Sequence, residues 1–309
     1  MPLPLIIDCD PGVDDAIALL MALASPEFDL LGITTVAGNV PLALTAKNAR
    51  KICQLAGRTE IDIYAGCPRP LLRPLVTAEQ VHGSSGLEGA DLPEPTVPLR
   101  SPHAVSFLIE QLTTAQQPIT LAALGPLTNI AVALIQQPQI LQNLQELVIM
   151  GGAIAQGNVT ASAEFNFYVD PHAARVVFES GAKLTLISLD VTHQALTTPE
   201  RLANIRAIGS PVSKAAADLL AYYGVTDAVK YGLPGAPLHD PCVIAYLLQP
   251  NLFTAEAAAV VIETQSELTL GRSVVNFQPV GAANARVMRT IRSAGFYQLL
   301  IERLERYVS

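Results

Sequence analysis

The sequence predicts an α/β fold: an open, mainly parallel sheet flanked by helices, with a ligand site at the carboxyl ends of the strands. Two observations carry this expectation. Apolar, β-branched runs alternate with helical segments from Leu3 to beyond Pro199, the order expected of a parallel sheet with crossover helices. The residues just past these runs are polar or glycine-rich, and open α/β sheets bind ligands outside the carboxyl ends of their strands.

Leu3 to Ile7 is a short apolar run suited to a strand buried on both faces. Asp14 to Leu23 reads as a helix, acidic in its first turn and stopped by Ser25-Pro26. Leu30 to Val36 is a second strand, and Ala37-Gly38-Asn39 is the turn after it. Leu42 to Ala56 is helical and closes on Gly57 at the C′ position. The alternation repeats as strand Ile119 to Leu124 and helix Leu127 to Ile135, then strand Glu146 to Met150 and helix Pro171 to Ser180, then strand Lys183 to Leu189 and a helix from Pro199 onward. Two Pro/Gly-rich stretches, 66–74 and 82–98, read as long loops inside one domain spanning 1–309, because neither has the Gly/Ser composition of a flexible linker.

Half of the chain (50% of 309 residues) is hydrophobic and only 15% is charged, which supports a large core and excludes disorder. The net charge of -8 argues against a nucleic acid polymer or an anionic membrane surface as partner, since both select a basic face. The longest uninterrupted apolar run, Ala16 to Ala24, is far short of the roughly 20 residues of a membrane helix. The first residues carry no basic segment, so the expected location is cytoplasmic. Cys9, Cys53, Cys67 and Cys242 form no CxxC pair and sit in apolar segments, as expected of reduced, buried thiols.

Against this low charge, Asp8-Cys9-Asp10-Pro11-Gly12-Val13-Asp14-Asp15 places four carboxylates in eight residues. Asp8 and Asp10 point to the same side of a strand, while Asp14 and Asp15 begin a helix. A helix dipole offsets part of one charge, typically about 0.3–1 kcal/mol, and cannot keep several neighbouring carboxylates ionised. Either some protonate or a cation sits among them. All the candidate donors are oxygens, which favours a hard ion, Ca²⁺ or Mg²⁺, over zinc. The structural alternative makes Asp14 a helix cap and Asp10 a turn residue.

Two further elements stand out. In His239-Asp240-Pro241 the aspartate is either a site residue or a helix N-cap with proline at N1. Asn158 with Glu164-Phe165-Asn166 supplies two amides and a carboxylate around an aromatic, a set suited to sugar hydroxyls or to a polar surface loop. No GxGxxG follows a strand, no GxxxxGK[ST] occurs, and His82-Gly83-Ser84-Ser85-Gly86 is not a GxSxG elbow. Nucleotide-cofactor dehydrogenases, P-loop enzymes and α/β-hydrolases are therefore disfavoured.

Taken together, the motifs resemble those of the inosine–uridine-type nucleoside hydrolases. The opening matches that family's DxDPGxDDA signature, and the match continues through Ala37-Gly38-Asn39, Val81-His82-Gly83, Gly125-Pro126-Leu127-Thr128-Asn129, Met150-Gly151-Gly152, Ala163-Glu164-Phe165-Asn166 and Ala236-Pro237-Leu238-His239-Asp240-Pro241. The resemblance is nearest to bacterial ribonucleoside hydrolases that prefer pyrimidines, with non-specific or purine-accepting hydrolysis as the alternative. It implies a Rossmann-like sheet, a small-molecule ribonucleoside substrate, a role in nucleoside salvage, and a homo-oligomer, tetramer or dimer. It also implies a Ca²⁺ ion held by Asp10, Asp15, Asp240 and a backbone carbonyl at Leu124, where relatives commonly have threonine. Asp10 matches the general base toward the water on that ion. Asp14, Asn39, Asn158, Glu164 and Asn166 match the ribose-binding residues, with Phe165 between the last two. His239 matches the histidine beside the departing base, with His82 close to it. Tyr223, Asp227 and Tyr231 are candidate contacts of the base, or surface residues of a helix.

These residue types suit the implied chemistry. Breaking a ribosyl C–N bond creates an oxocarbenium-like centre that anionic groups stabilise. A cation lowers the pKa of its water, and a carboxylate beside it takes the proton. The leaving base needs a proton or a hydrogen bond, which a histidine near its ordinary pKa of ~6.5 supplies. Two rivals remain. A haloacid dehalogenase-type phosphohydrolase also opens on a strand and DxD, but would release phosphate and no reducing sugar. A non-catalytic Ca²⁺-dependent nucleoside-binding protein would bind uridine without releasing ribose. A pocket that carries several carboxylates suits a neutral nucleoside that becomes cationic in the transition state. The expected outcome is that UMP is cleaved far more slowly than uridine; comparable rates of base release from the two would contradict this charge argument.

Overall fold

The computed structural model describes residues 1–308, apart from the side chains of 224–231. Eleven strands are present among them: β1 (Leu3–Cys9), β2 (Phe28–Thr35), β3 (Ile63–Ala65), β4 (Ile119–Ala123), β5 (Leu144–Met150), β6 (Leu184–Ile187), β7 (Leu196–Thr197), β8 (Ala236–Pro237), β9 (Phe253–Ile262), β10 (Ser273–Asn276) and β11 (Ala285–Ile291). Nine of them form one sheet in the order β10-β9-β11-β6-β5-β4-β1-β2-β3, and β7 pairs with β8 apart from it. From β3 across to β11 every pair is parallel, as the strand–helix alternation predicts. The β9 and β10 strands run antiparallel at the far edge.

The burial pattern explains why these segments form strands. Leu5, Ile7 and Cys9 of β1 turn into one core and Ile6 into the other, all at 0% exposure, so the run must be apolar on both faces. One layer is built from helices Val13–Leu23, Pro241–Leu248 and Ser293–Glu305, and the other from Ala104–Thr114, Thr128–Gln136 and Pro171–Phe178. Helix Leu42–Leu55 ends before Gly57, which takes the left-handed conformation (φ 67°) expected of a C′ residue.

The predicted elements are present with shifted ends: β1 extends to Cys9 and β5 starts at Leu144, whereas β6 stops at Ile187. The polar segment after Glu164 is not an irregular loop. It contains a one-turn helix, Phe165–Val169, capped by Glu164 itself. Of the four cysteines, all unpaired, Cys9, Cys53 and Cys242 are buried, but Cys67 is partly exposed, so the expectation of four buried thiols fails there. No helix among the described residues is long and apolar enough to cross a membrane.

Strand order reverses at β1: β2 and β3 lie to one side, and β4, β5 and β6 to the other. At such a switch point the loops leaving neighbouring strands diverge and open a crevice. The Asp10 segment leaves β1 and Leu124 leaves β4, so the acidic cluster sits at this crevice. Because Ile6 is fully buried in the strand that supports it, Ile6→Ala is expected to lower unfolding stability by about 2–5 kcal/mol in urea titrations.

Candidate active site

A cavity of about 310 Å³ opens over the carboxyl ends of β1, β4 and β5. Of the residues singled out in the sequence, Asp14, Asn39, His82, Leu124, Asn158, Glu164, Phe165, Asn166, His239 and Asp240 line it. Asp15 groups with Asp14 and Asp240 at ligand distance, while Asp10, expected as a ligand, lies beside that trio and outside it; Asp10 and Asp15 are 1% and 0% exposed. Tyr231 and Asp227 lie outside the described residues, their side chains falling within 224–231. Tyr223 does reach the cavity, its ring centroid 5.4 Å from that of His82.

The acidic cluster is held by the start of helix Val13–Leu23. Gly12 is its N-cap, so Asp14 is not the cap of this helix. Asp15 accepts from the backbone N–H of Gly12 (3.0 Å) and of Asp10 (3.2 Å), and its Oδ2 also accepts from Asn39 Nδ2 (3.1 Å). Asp10 Oδ2 accepts from Asn39 N (2.7 Å), while Asp10 Oδ1 is buried with no hydrogen-bond partner. A Cβ at Gly38 or at Gly125 would overlap the Asp10 carboxylate, so both turns must be glycine for Asp10 to fit. Asp240 occupies an N-cap position before Pro241, yet its side chain makes no capping bond. It is turned into the cluster instead. Oxygens of Asp14, Asp15 and Asp240 lie within 4.8 Å of one another.

Burial pushes the carboxyl pKa of Asp10, Asp15 and Asp240 above the ordinary range, and their mutual repulsion pushes those of Asp10 and Asp240 further. Backbone N–H groups pull Asp15 partly back. The Asp15–Asp240 interaction lowers the pKa of Asp15 and raises that of Asp240, as expected when buried carboxyl groups adjoin without a compensating charge. The orphaned Asp10 Oδ1, the oxygen-only donor set and the deep burial all fit a hard divalent cation. Leu124 contributes a carbonyl to this region, which already accepts from Asn166 Nδ2 at 2.7 Å and retains a second lone pair.

On the other wall, Glu164 caps its short helix, accepting from Asn166 N (2.8 Å), Phe167 N (3.1 Å) and Gly152 N (2.8 Å). Burial nevertheless raises its pKa to about 7. Asn158 Oδ1 accepts from Phe165 N at 2.9 Å, which folds the loop over the cavity. Asn166 spends its Nδ2 hydrogens on the Leu124 and Met150 carbonyls, which leaves its Oδ1 as an acceptor for a ligand. Asp190, whose role the sequence did not disclose, fastens this loop by accepting from Ile154 N (2.6 Å) and Ala155 N (3.1 Å). Asn129 and Asp8 follow strands as ligand residues do, but they face each other. Asn129 Nδ2 donates to Asp8 Oδ1 (2.7 Å), which also accepts from Thr34 Oγ1 (2.5 Å). They brace strand ends and do not line the cavity.

The two histidines differ from the expectation of rings near their ordinary pKa. Burial pushes His82 and His239 down to about 3, with His193 and His82 adding to the effect on His239. At neutral pH each is an uncharged ring that donates through one N–H, as a hydrogen-bond donor and not as an imidazolium acid. His82 Nδ1 accepts from the Val13 backbone N–H at 3.1 Å, so its proton resides on Nε2. Ala78, Gln80 and Val159 also line the cavity and were not foreseen, while Val81 and Met150, which line it too, were noted only as members of their motifs.

The family model described as inosine-uridine preferring nucleoside hydrolase matches residues 5–298. A pyrimidine-specific ribonucleoside hydrolase RihA of Shewanella woodyi is 46% identical over 310 residues, covering 99% of each chain. An uncharacterized protein of Schizosaccharomyces pombe is 48% identical over 306 residues, 98% of this chain and 99% of its own. Among solved structures, the purine-preferring ribonucleoside hydrolase of Gardnerella vaginalis superposes with a TM-score of 0.93 at 30% identity, covering 99% of this chain and 100% of that one. A plant nucleoside hydrolase, the PpNRh1 enzyme, gives 0.92 at 31%, covering 99% of both.

The hydrogen bond from Val13 yields a direct test. In ¹⁵N-resolved spectra of the imidazoles, His82 is expected to keep its proton on Nε2 with no titration from pH 8 to pH 5, since its pKa lies near 3. A midpoint near 6.5 would show that the ring is solvated and not locked.

Proposed function

The chain belongs to the inosine-uridine preferring nucleoside hydrolase family and is a hydrolase of ribonucleoside N-glycosidic bonds; on that premise we propose that it acts on pyrimidine ribonucleosides, with Ca²⁺ in the acidic cluster. The observation that carries this reading is the unpartnered, buried Asp10 Oδ1 beside carboxylates that face a sugar-sized cavity. The preference for uridine and cytidine rests on relatives about half identical that are named pyrimidine-specific. The purine-preferring structure is more distant in sequence, at 30% identity, and keeps the alternative of purine cleavage in view. A salvage role in the cytoplasm, and assembly into a dimer or tetramer, are parts of the same proposal.

Asp10, Asp15, Asp240 and the Leu124 carbonyl would hold the ion, which when bound acidifies a water at the anomeric carbon. Asp10 would serve as the general base of the reaction through its buried carboxylate. Asp14, Asn39, Asn158, Glu164 and Asn166 hold the ribose hydroxyls, with the Asn166 Oδ1 and the Glu164 carboxyl as acceptors. The carboxyl groups of Asp14 and Glu164 in this set would stabilise the ring as it becomes oxocarbenium-like. Phe165 covers the sugar side, and His82, Tyr223 and His239 stand where the base departs.

The decisive experiment measures ribose release from uridine, cytidine, inosine and adenosine. Uridine and cytidine are expected to exceed the purine nucleosides by about tenfold or more in kcat/KM. Equal or reversed efficiencies would overturn the base preference, and release of phosphate from phosphomonoesters with no ribose from any nucleoside would overturn the activity. Chelation should abolish turnover, with Ca²⁺ restoring it better than Mg²⁺. Asp10→Asn is expected to lower kcat by about a hundredfold or more, and near wild-type turnover with the ion bound would remove Asp10 as the base.

A further inference from the structure

Building on nucleoside hydrolysis as proposed above, the geometry points to Thr192 as the positioning residue that fixes the tautomer of His239, so that an Nε2–H donor meets the leaving base. Thr192 is 0% exposed and does not line the cavity, so it acts on the reaction only through another side chain. It closes the short helix Leu189–Thr192 that follows β6, where its backbone N–H donates to Ser188 O at 3.1 Å. From there its Oγ1 lies 2.7 Å from His239 Nδ1.

A hydroxyl has a single hydrogen to give. The other acceptor within reach is Leu189 O, at 3.4 Å, beyond the usual length of an O–H···O bond. The 2.7 Å contact is of ordinary strong length, so the hydrogen goes to His239 Nδ1. With Nδ1 accepting, an uncharged imidazole carries its proton on Nε2, the one remaining polar atom of a ring that lines the cavity. The same arrangement occurs at the other histidine of the cavity, where the Val13 N–H occupies His82 Nδ1. Two unrelated donors thus set both rings to present N–H groups. A departing pyrimidine gathers negative charge as the C–N bond breaks, and a fixed N–H stabilises it without any proton transfer. The opposite tautomer would aim a lone pair at that charge.

The test exploits leaving groups of unequal need. Uracil requires the hydrogen bond, whereas 4-nitrophenolate departs from 4-nitrophenyl β-D-riboside as a stable anion. Thr192→Val removes the hydroxyl while keeping the side chain's shape, and Thr192→Ser keeps the hydroxyl. The ratio of kcat on uridine to kcat on the nitrophenyl riboside is expected to fall roughly ten- to hundredfold in the Val variant and to recover in the Ser variant. In ¹⁵N spectra of the wild type, His239 should carry its proton on Nε2. If the Val variant fails to show a cooperative thermal transition, Thr192→Ala replaces it in the same comparison. An equal fall on both substrates, a Ser variant no better than Val, or a proton on Nδ1 overturns the inference while wild-type uridine hydrolysis stands. A wild type that releases ribose from neither substrate overturns both this inference and the activity on which it rests.

Discussion

Repulsion among buried carboxylates is the constraint around which this protein is arranged. Asp10, Asp14, Asp15 and Asp240 meet where the strand order reverses, in a region nearly closed to solvent. Such a group is costly to bury unless charge is removed or compensated. The chain supplies partial compensation from the N–H groups of Gly12, Asp10 and Asn39 and from the start of a helix. It leaves one oxygen of Asp10 with nothing. Glycines at 38 and 125 let the backbone close on that carboxylate, and Asp240 forgoes the capping bond that its position before proline would ordinarily make. Local preferences were set aside at each of these points in favour of the cluster.

Much of this was legible in the sequence, for identifiable reasons. The parallel core could be read because its strands are apolar on both faces and its helices carry start and stop residues. The antiparallel edge, β9 to β11, was not. Its strand Ala285–Ile291 breaks the alternation of a half-buried strand, with Val287 and Met288 both buried and a register shift against β9 after Met288. The oxygen donors stood out because aspartates are costly in a chain with so little charge. The supports did not. Asp190 and Thr192 act through a loop and a ring distant in sequence, and nothing near them marks those partners. Asn129 illustrates the converse, a polar residue in the expected place that serves the strand ends and not the cavity.

The cavity is also electrostatically divided. Carboxyl groups in and beneath it have pKa values that burial has raised, and its two imidazoles have pKa values that burial has lowered. Desolvation drives both shifts in the direction that neutralises the group. On the proposed roles, substrate would meet acceptors and latent negative charge under the ring and neutral N–H donors at the base. That polarity matches a bond breaking with positive charge left on the sugar and negative charge carried off by the base.

The short segment after β6 has a wider consequence. Asp190 grips the loop that carries Asn158 and Glu164, and two residues later Thr192 grips His239. The loop and the imidazole thus share a single mount only a few residues long. A displacement of that mount moves both, so on the proposed roles a shift of His239 that altered the choice of base would also disturb the loop of Asn158 and Glu164. Tyr223, by contrast, approaches the cavity from an independent helix, so a change there leaves this mount in place.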